Sequence, residues 1–265
     1  MEERWSRLEG LGLERLRDRH VVVVGLGSGG SAVAVELAKA GVGRFTLVDP
    51  DRLEEANVIR HECDDRYLGW SKPAAVADLI AFRNPDADLD LVKEDALACD
   101  RLPETVAGAD LVAGCTDVEP PKHLINRLCL AAGVPAVYAG VYARGVGGEV
   151  IRCGGGPEDP CYACVMSALK DSAPVPEEAP DYGVPAEDRS VAALGLDVRL
   201  VALAHAKLGL LTLLGRDGAL PGNVVLLGTA AVDGLFPRPF ASAVLHVSPQ
   251  AGCLVCAPVR DAALF

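Results

Sequence analysis

Positive charge is scarce in this chain. Lys and Arg number 25 against 37 Asp and Glu, a formal net charge of −12. That balance argues against a nucleic-acid-binding domain, which normally carries a basic patch. An uninterrupted apolar run of membrane length is also missing. The longest apolar region, Val191 to Leu214, is broken by Asp197, Arg199, His205 and Lys207, and reads as a buried or interface helix. Met1 to Arg19 is rich in charge and has no apolar core, so it does not read as a signal peptide. The expectation is a cytoplasmic protein with neither a membrane nor a nucleic-acid partner. Aromatic residues make up only 5% of the chain, so the core must be aliphatic. Nine cysteines, an odd number, do not suggest a secreted disulfide framework. Internal repeats and low-complexity tracts are absent from the sequence.

The stretch from His20 to Asp51 organises the rest. Val21 to Val24 form a short apolar run, followed by Gly25, Gly27 and Gly30 in G-x-G-x-x-G spacing. A helical segment carries Val33, Leu37 and Ala40 on one side, and a second apolar run, Phe45 to Val48, ends in Asp49. Strand, glycine turn, helix, strand and acid make a nucleotide-binding βαβ unit. The glycines let backbone N–H groups approach a phosphate with no Cβ in the way. The helix N-terminus after Gly30 favours an anion. Asp49 is placed to accept hydrogen bonds from a ribose hydroxyl. The unit leaves NAD and ATP both open.

Around this unit the chain alternates. Glu2 to Arg19 reads as an N-terminal helix, with Trp5, Leu8, Leu11 and Leu16 on its apolar side. Pro50 to Gly69 reads as a polar loop, Pro73 to Phe82 as a helix, and Leu89 to Val92 and Ala109 to Ala113 as strands. Pro121 to Ala132 is the next helix and Val134 to Ala139 the next strand. The expected fold is α/β: a Rossmann-like, doubly wound, mostly parallel sheet with an antiparallel C-terminal extension. Val141 to Ile151 reads as a turn into a strand, with a bulge at Gly147-Gly148. Residues 165–190 read as a mobile crossover loop. A long helix over Val191 to Leu214 and late strands at Val224 to Leu227 and Ala243 to Val247 complete the chain. One domain over residues 1–265 is expected, with a nucleotide-binding core at 20–140.

Two constellations carry chemistry. Cys161-Tyr-Ala-Cys164 and Cys253-Leu-Val-Cys256 are C-x-x-C knuckles separated by 88 residues. Four thiolates from two tight turns match a closed tetrahedral zinc site. A redox C-x-x-C would need only one such motif. A structural zinc contributes on the order of 10 kcal/mol to its site, so it would staple residues 141–265 together without a catalytic role. The other cysteines, Cys63, Cys99, Cys115, Cys129 and Cys153, read as small core residues or surface thiols. The five histidines, His20, His61, His123, His205 and His246, read as structural. The second constellation lies where ligands sit in a doubly wound sheet, outside the carboxyl ends of its strands. Asp49, Arg60, Lys72 and Asp117 fall on that edge. Arg60 and Lys72 can neutralise phosphates, and Asp117 can hold Mg²⁺.

Arg4-Trp-Ser-Arg7, Gly25-Leu-Gly-Ser-Gly-Gly30, Leu47-Val-Asp49-Pro-Asp51, Asn57-Val-Ile-Arg60, Lys72, Cys115-Thr-Asp117 and the two knuckles occur in order. Together they resemble the ThiF/MoeB/HesA family of ubiquitin-activating-enzyme-like adenylyltransferases. The resemblance implies that Gly25, Gly27 and Gly30 line the ATP phosphates and that Asp49, with Asp51, binds the ribose side. It implies that Asn57, Arg60 and Lys72 contact phosphates, that Asp117 positions Mg²⁺, and that Arg7 reaches the ATP of the other subunit of a homodimer. The implied reaction is adenylation of the C-terminal carboxylate, ending in Gly-Gly, of a small ubiquitin-like or sulfur-carrier protein. Two alternatives stand beside it: a non-catalytic ATP-binding partner subunit, and an NAD-dependent oxidoreductase. His61, Val118 and Lys122 depart from residues common in the family. Many relatives also carry a cysteine after the first knuckle for a thioester or persulfide. No cysteine lies between Cys164 and Cys253, so the reaction is expected to stop at the acyl-adenylate, with Cys153 or Cys63 as the fallback nucleophile.

Overall fold

The computed structural model describes residues 3–156, 159–172 and 193–262. Its frame is one eight-stranded sheet: β1 (His20–Val24), β2 (Arg44–Val48), β3 (Asp88–Val92), β4 (Leu111–Gly114), β5 (Ala136–Val141), β6 (Gly147–Cys153), β7 (Val224–Gly228) and β8 (Ser242–Leu245). The spatial order is β3-β2-β1-β4-β5-β6-β7-β8. The first five strands pair in parallel, and β6 to β8 extend the sheet antiparallel. From β1 the chain runs outward to β2 and β3, then returns to place β4 on the other flank. The β1–β4 boundary is therefore the topological switch point, where doubly wound sheets bind ligands.

Helices cover both faces. α1 (Ser28–Lys39), α3 (Lys72–Arg83) and α7 (Gly195–Leu213) lie on one side, α4 (Leu102–Ala107), α5 (Glu119–Ala132) and α6 (Tyr162–Ser172) on the other. Side chains alternate across a strand, so Val21 and Val23 join the first layer while Val22 and Val24 join the second. A strand buried on both faces reads as a near-continuous apolar run: β1 is fully buried, with Val21 to Val24 apolar and His20 satisfied by hydrogen bonds to Gly108 and Thr46. The ends of α5 follow local rules. Pro120 and Pro121 sit in its first turn, where their missing N–H groups cost nothing. Gly133, at φ 68°, closes it in the left-handed conformation.

Several boundaries differ from expectation. The N-terminal helix is two short 3₁₀ segments, Glu3–Leu8 and Glu14–Asp18, because Gly10 and Gly12 take positive φ between them and break a continuous helix. Leu16 is buried but Leu11 is half exposed. The polar loop contains α2 (Glu55–Val58). Of the expected crossover loop, residues 165–172 belong to α6, and the rest lies outside the described residues. No bulge interrupts β6, whose Gly147 and Gly148 stay in register with Gly228 and Leu227. Helices α4, α6 and α8 (Ala257–Ala262) were too short or too closely joined to cysteine turns to show a period. Among the described residues, no helix is long and apolar enough to cross a membrane.

Candidate nucleotide site and cysteine cluster

The glycine turn is shaped by contact on one side and open space on the other. Gly25 takes φ 89°, and a Cβ there would lie 2.8 Å from the Cys115 carbonyl oxygen. A Cβ on Gly30 would collide with the Gly25 carbonyl and approach the Cys115 Cβ at 2.9 Å. These two glycines let β1, α1 and the end of β4 close on one another. Gly27 is different: a Cβ there would meet nothing within 4 Å. It caps α1 without a side-chain hydrogen bond, and the first turn holds no acidic residue. Open space beside uncapped N–H groups is what an anion requires at a helix start.

Asp49 closes the floor. Its Oδ2 accepts the Leu26 N–H at 2.6 Å, and its Oδ1 accepts the Asp51 N–H at 2.9 Å. The first bond ties the acid at the end of β2 to the turn after β1. Burial pushes the Asp49 carboxyl above the usual carboxylate range, while the Leu26 N–H and the Lys72 charge pull it back. Lys72, at the start of α3, places Nζ 2.6 Å from Asp51 Oδ2 and 3.9 Å from Asp49 Oδ1. It is a buried cation whose charge is shared between two acids at the mouth of the turn.

His61 sits beneath this arrangement. Nδ1 accepts the Cys63 N–H at 3.0 Å, so Nε2 carries the proton and donates to the Leu26 carbonyl at 2.7 Å. Burial holds its pKa below the ordinary histidine value. A neutral imidazole therefore braces the turn from below, a role its sequence neighbourhood did not announce. Cys115 and His205 make a second hidden pair. The thiol lies 3.9 Å from His205 Nδ1, and His205 Nε2 donates to the Val137 carbonyl at 2.9 Å. Burial pushes Cys115 up to about 12 and His205 down to about 4, so both are neutral packing groups near pH 7.

The structure thus brings together Gly25, Gly27, Gly30, Asp49, Asp51 and Lys72. Asp117 is exposed three residues past the end of β4, on the same sheet edge. Arg60 lies after α2, with its Cα 3.0 Å from where a Cβ on Gly195 would stand, so the start of α7 packs on it. Asn57 is occupied locally: its Oδ1 accepts the Glu54 N–H at 3.0 Å in a capping box that holds α2. Arg7 is not at this edge. Its 3₁₀ segment is held where Arg4 donates to the Arg83 carbonyl at 3.0 Å and Trp5 touches Gly41, at the opposite end of the strands.

The second centre is compact. The sulfurs of Cys161, Cys164, Cys253 and Cys256 all lie within 4.8 Å of one another, and all four residues are buried. The 161–164, 161–253 and 164–256 sulfur separations are 3.7, 3.7 and 3.5 Å. A tetrahedron with Zn–S bonds of about 2.3 Å has sulfurs about 3.8 Å apart, so the donor set fits zinc. The Gln250 N–H points at the Cys164 sulfur at 3.4 Å, the kind of outer bond that orients a thiolate ligand. Cys63, pushed up to about 12 by burial, and Cys153, raised well above its ordinary value, lack the thiolate character of a nucleophile.

A glycine turn at the switch point, an acid on its floor and a buried lysine at its mouth define a nucleotide-binding α/β protein. More specifically, the chain belongs to the ThiF family, which matches residues 2–232. The SAMP-activating enzyme E1 of Haloferax volcanii is 31% identical over 217 residues, 81% of this chain and 74% of that protein. The molybdopterin-synthase adenylyltransferase of Salmonella typhimurium is 34% identical over 163 residues, covering 61% of this chain and 64% of that protein. The fold is that of Escherichia coli MccB, solved with MccA-N7isoAsn: TM-score 0.76 at 19% identity, over 97% of this chain and 75% of that one. The class is that of the adenylyltransferases.

Proposed function

We propose that this chain uses ATP and Mg²⁺ to adenylate the C-terminal carboxylate of a small ubiquitin-like or sulfur-carrier protein ending in Gly-Gly, releasing pyrophosphate. The observation that carries this is the open, uncapped start of α1 beside a buried Lys72, with Asp117 on the same edge. A dinucleotide cofactor has less need of so much phosphate-facing charge. A carboxylate is a poor acyl donor until one oxygen becomes a good leaving group, and AMP supplies that. Carboxylate and triphosphate repel, so catalysis here is alignment and charge neutralisation. Gly25, Gly27 and Gly30 would present backbone to the phosphates, and Asp49 would accept from the ribose. Lys72 and Arg60 would offset phosphate charge, and Asp117 would hold the Mg²⁺ that accompanies ATP. Asn57 would act by holding α2 and so aiming Arg60. Arg7, far from its own cradle, would serve the second site of a homodimer. The cysteine cluster would bind structural zinc.

The chemistry would stop at the acyl-adenylate, because Cys63 and Cys153 are sealed as thiols and no cysteine stands between the knuckles. The test is ATP–pyrophosphate exchange with a Gly-Gly-ended carrier. Exchange should require the carrier and fall about 100-fold or more in Asp117→Ala, the scale of losing one transition-state electrostatic contact. Exchange independent of carrier, or unchanged in Asp117→Ala, contradicts the assignment. ATP binding without exchange would favour a non-catalytic partner subunit.

A further inference from the structure

The first cysteine knuckle touches the helix that follows Asp117, a contact to which the proposed adenylation assigns no task. Tyr162 stands between the sulfur donors Cys161 and Cys164. It is 2% exposed and lies against α5. Its hydroxyl donates to the Glu119 carboxylate, at 3.0 Å from Oε2 and 3.2 Å from Oε1. Its backbone N–H donates to Asn126 Oδ1 at 2.9 Å. Its ring meets His123 edge-on, with centroids 5.6 Å apart, and lies 6.0 Å from Lys122 Nζ. Residues 119, 122, 123 and 126 share one face of a helix, so two turns of α5 are laid along this one residue. Glu119 is the first residue of α5, and Lys122 Nζ also donates to its Oε1, at 2.9 Å. Burial raises the Glu119 carboxyl, but the bonds from Lys122 and Tyr162 outweigh this and hold it below the usual carboxylate range. It is therefore a charged acceptor near pH 7.

Asp117 lies two residues before Glu119, in the short link between β4 and α5. The β4 end of that link is fixed, because the Cys115 N–H donates to the Val24 carbonyl of β1 at 2.8 Å. The link is tight, because the Thr116 hydroxyl donates to the Val118 carbonyl at 3.1 Å. Its α5 end has no side-chain cap: Val118, at the N-cap, offers no side-chain hydrogen bond. A helix start without a cap is held by other contacts. Here Lys122 holds Glu119 from within α5 and Tyr162 holds it from the knuckle. Resting on the reading of Asp117 as the residue that meets Mg²⁺, we propose that Tyr162 is a positioning residue. Anchored in the knuckle, its hydroxyl fixes Glu119 and so sets the Asp117 carboxylate for the metal of the bound nucleotide. The cysteine cluster then acts on the nucleotide site through one hydrogen bond, besides stapling the chain.

Calorimetric titration with ATP in Mg²⁺ and in EDTA gives two affinities, and their ratio is the gain that the metal confers. Tyr162→Phe keeps the ring and removes the hydroxyl. Glu119→Ala breaks the same bond from the α5 side and leaves the knuckle untouched. Wild type should show the gain, and Asp117→Ala should remove it. Tyr162→Phe and Glu119→Ala should each cut the gain about fivefold or more, within the range of losing one hydrogen bond. Both should leave metal-free ATP affinity unchanged, and metal analysis of Tyr162→Phe should find its zinc retained. In an Asp117→Ala background neither substitution should have a further effect. A hydroxyl with a merely structural role would lower both affinities together, or act equally without Asp117, and either result overturns the assignment. An undiminished gain in Glu119→Ala overturns it even if Tyr162→Phe fails to fold or loses zinc. No gain in wild type, or a gain that survives Asp117→Ala, overturns the reading of Asp117 itself, and the assignment of Tyr162 falls with it.

Discussion

Residues 20–51 build most of the proposed nucleotide cradle from one continuous stretch, and much of it is main chain: the open start of α1 and the Leu26 N–H held by Asp49. The cysteine cluster is made the other way, from four side chains on two knuckles separated by 88 residues. The first depends on what is missing, a Cβ at each of three glycines. The second depends on what is present, four sulfurs, and exists only after α6 and the chain's end have been brought together. The cradle should therefore fail selectively, losing nucleotide before fold. The cluster should fail globally.

The largest effect is expected at the cluster. Cys161→Ser or Cys253→Ser should abolish bound zinc and, with a stake on the order of 10 kcal/mol, remove the cooperative thermal transition. Metal analysis and calorimetry read both. A stable, zinc-free variant would erase the contrast between the two centres. Within the cradle the contrast sharpens between two glycines. Gly30→Ala forces a Cβ into the Gly25 carbonyl and should cost several kcal/mol, on the order of other severe steric changes. Gly27→Ala has open space and an ordinary φ of −69°. It should keep the melting temperature within a few degrees yet lose ATP affinity, as calorimetric titration would show.

A pH prediction follows from His205. Its folded pKa, about 4, lies below the unfolded value of 6.5. The unfolded chain binds the proton first, so stability rises with pH across that window. Acidification from 6.5 to 4 should cost about 3 kcal/mol. His205→Gln should flatten the melting-temperature profile between those values, while an unchanged profile would contradict a buried neutral imidazole. The smallest effect is expected for Lys72→Ala. It removes one cation from Asp49 and Asp51 and should weaken ATP about tenfold with the fold retained.

How much was legible in the sequence follows the same division. The βαβ unit was readable because strand, turn, helix and acid are local and periodic. The knuckles were readable because their chemistry is carried by residue type. The N-terminal 3₁₀ segments were not, since Gly10 and Gly12 break the helix while the apolar spacing suggests continuity. That Asn57 sits in a capping box with Glu54 shows only in the bond itself. His61 and Cys115–His205 stayed hidden because their partners come from distant strands and helices, and no spacing along the chain announces a contact made across a sheet.

The most direct test of the central claim is the intact mass of a Gly-Gly-ended carrier incubated with this chain, ATP and Mg²⁺ and trapped at once. The account predicts carrier bearing one AMP, with every cysteine of this chain unmodified. Carrier left unmodified by an enzyme that binds ATP, or carrier joined to this chain by a bond that thiols release, would contradict it.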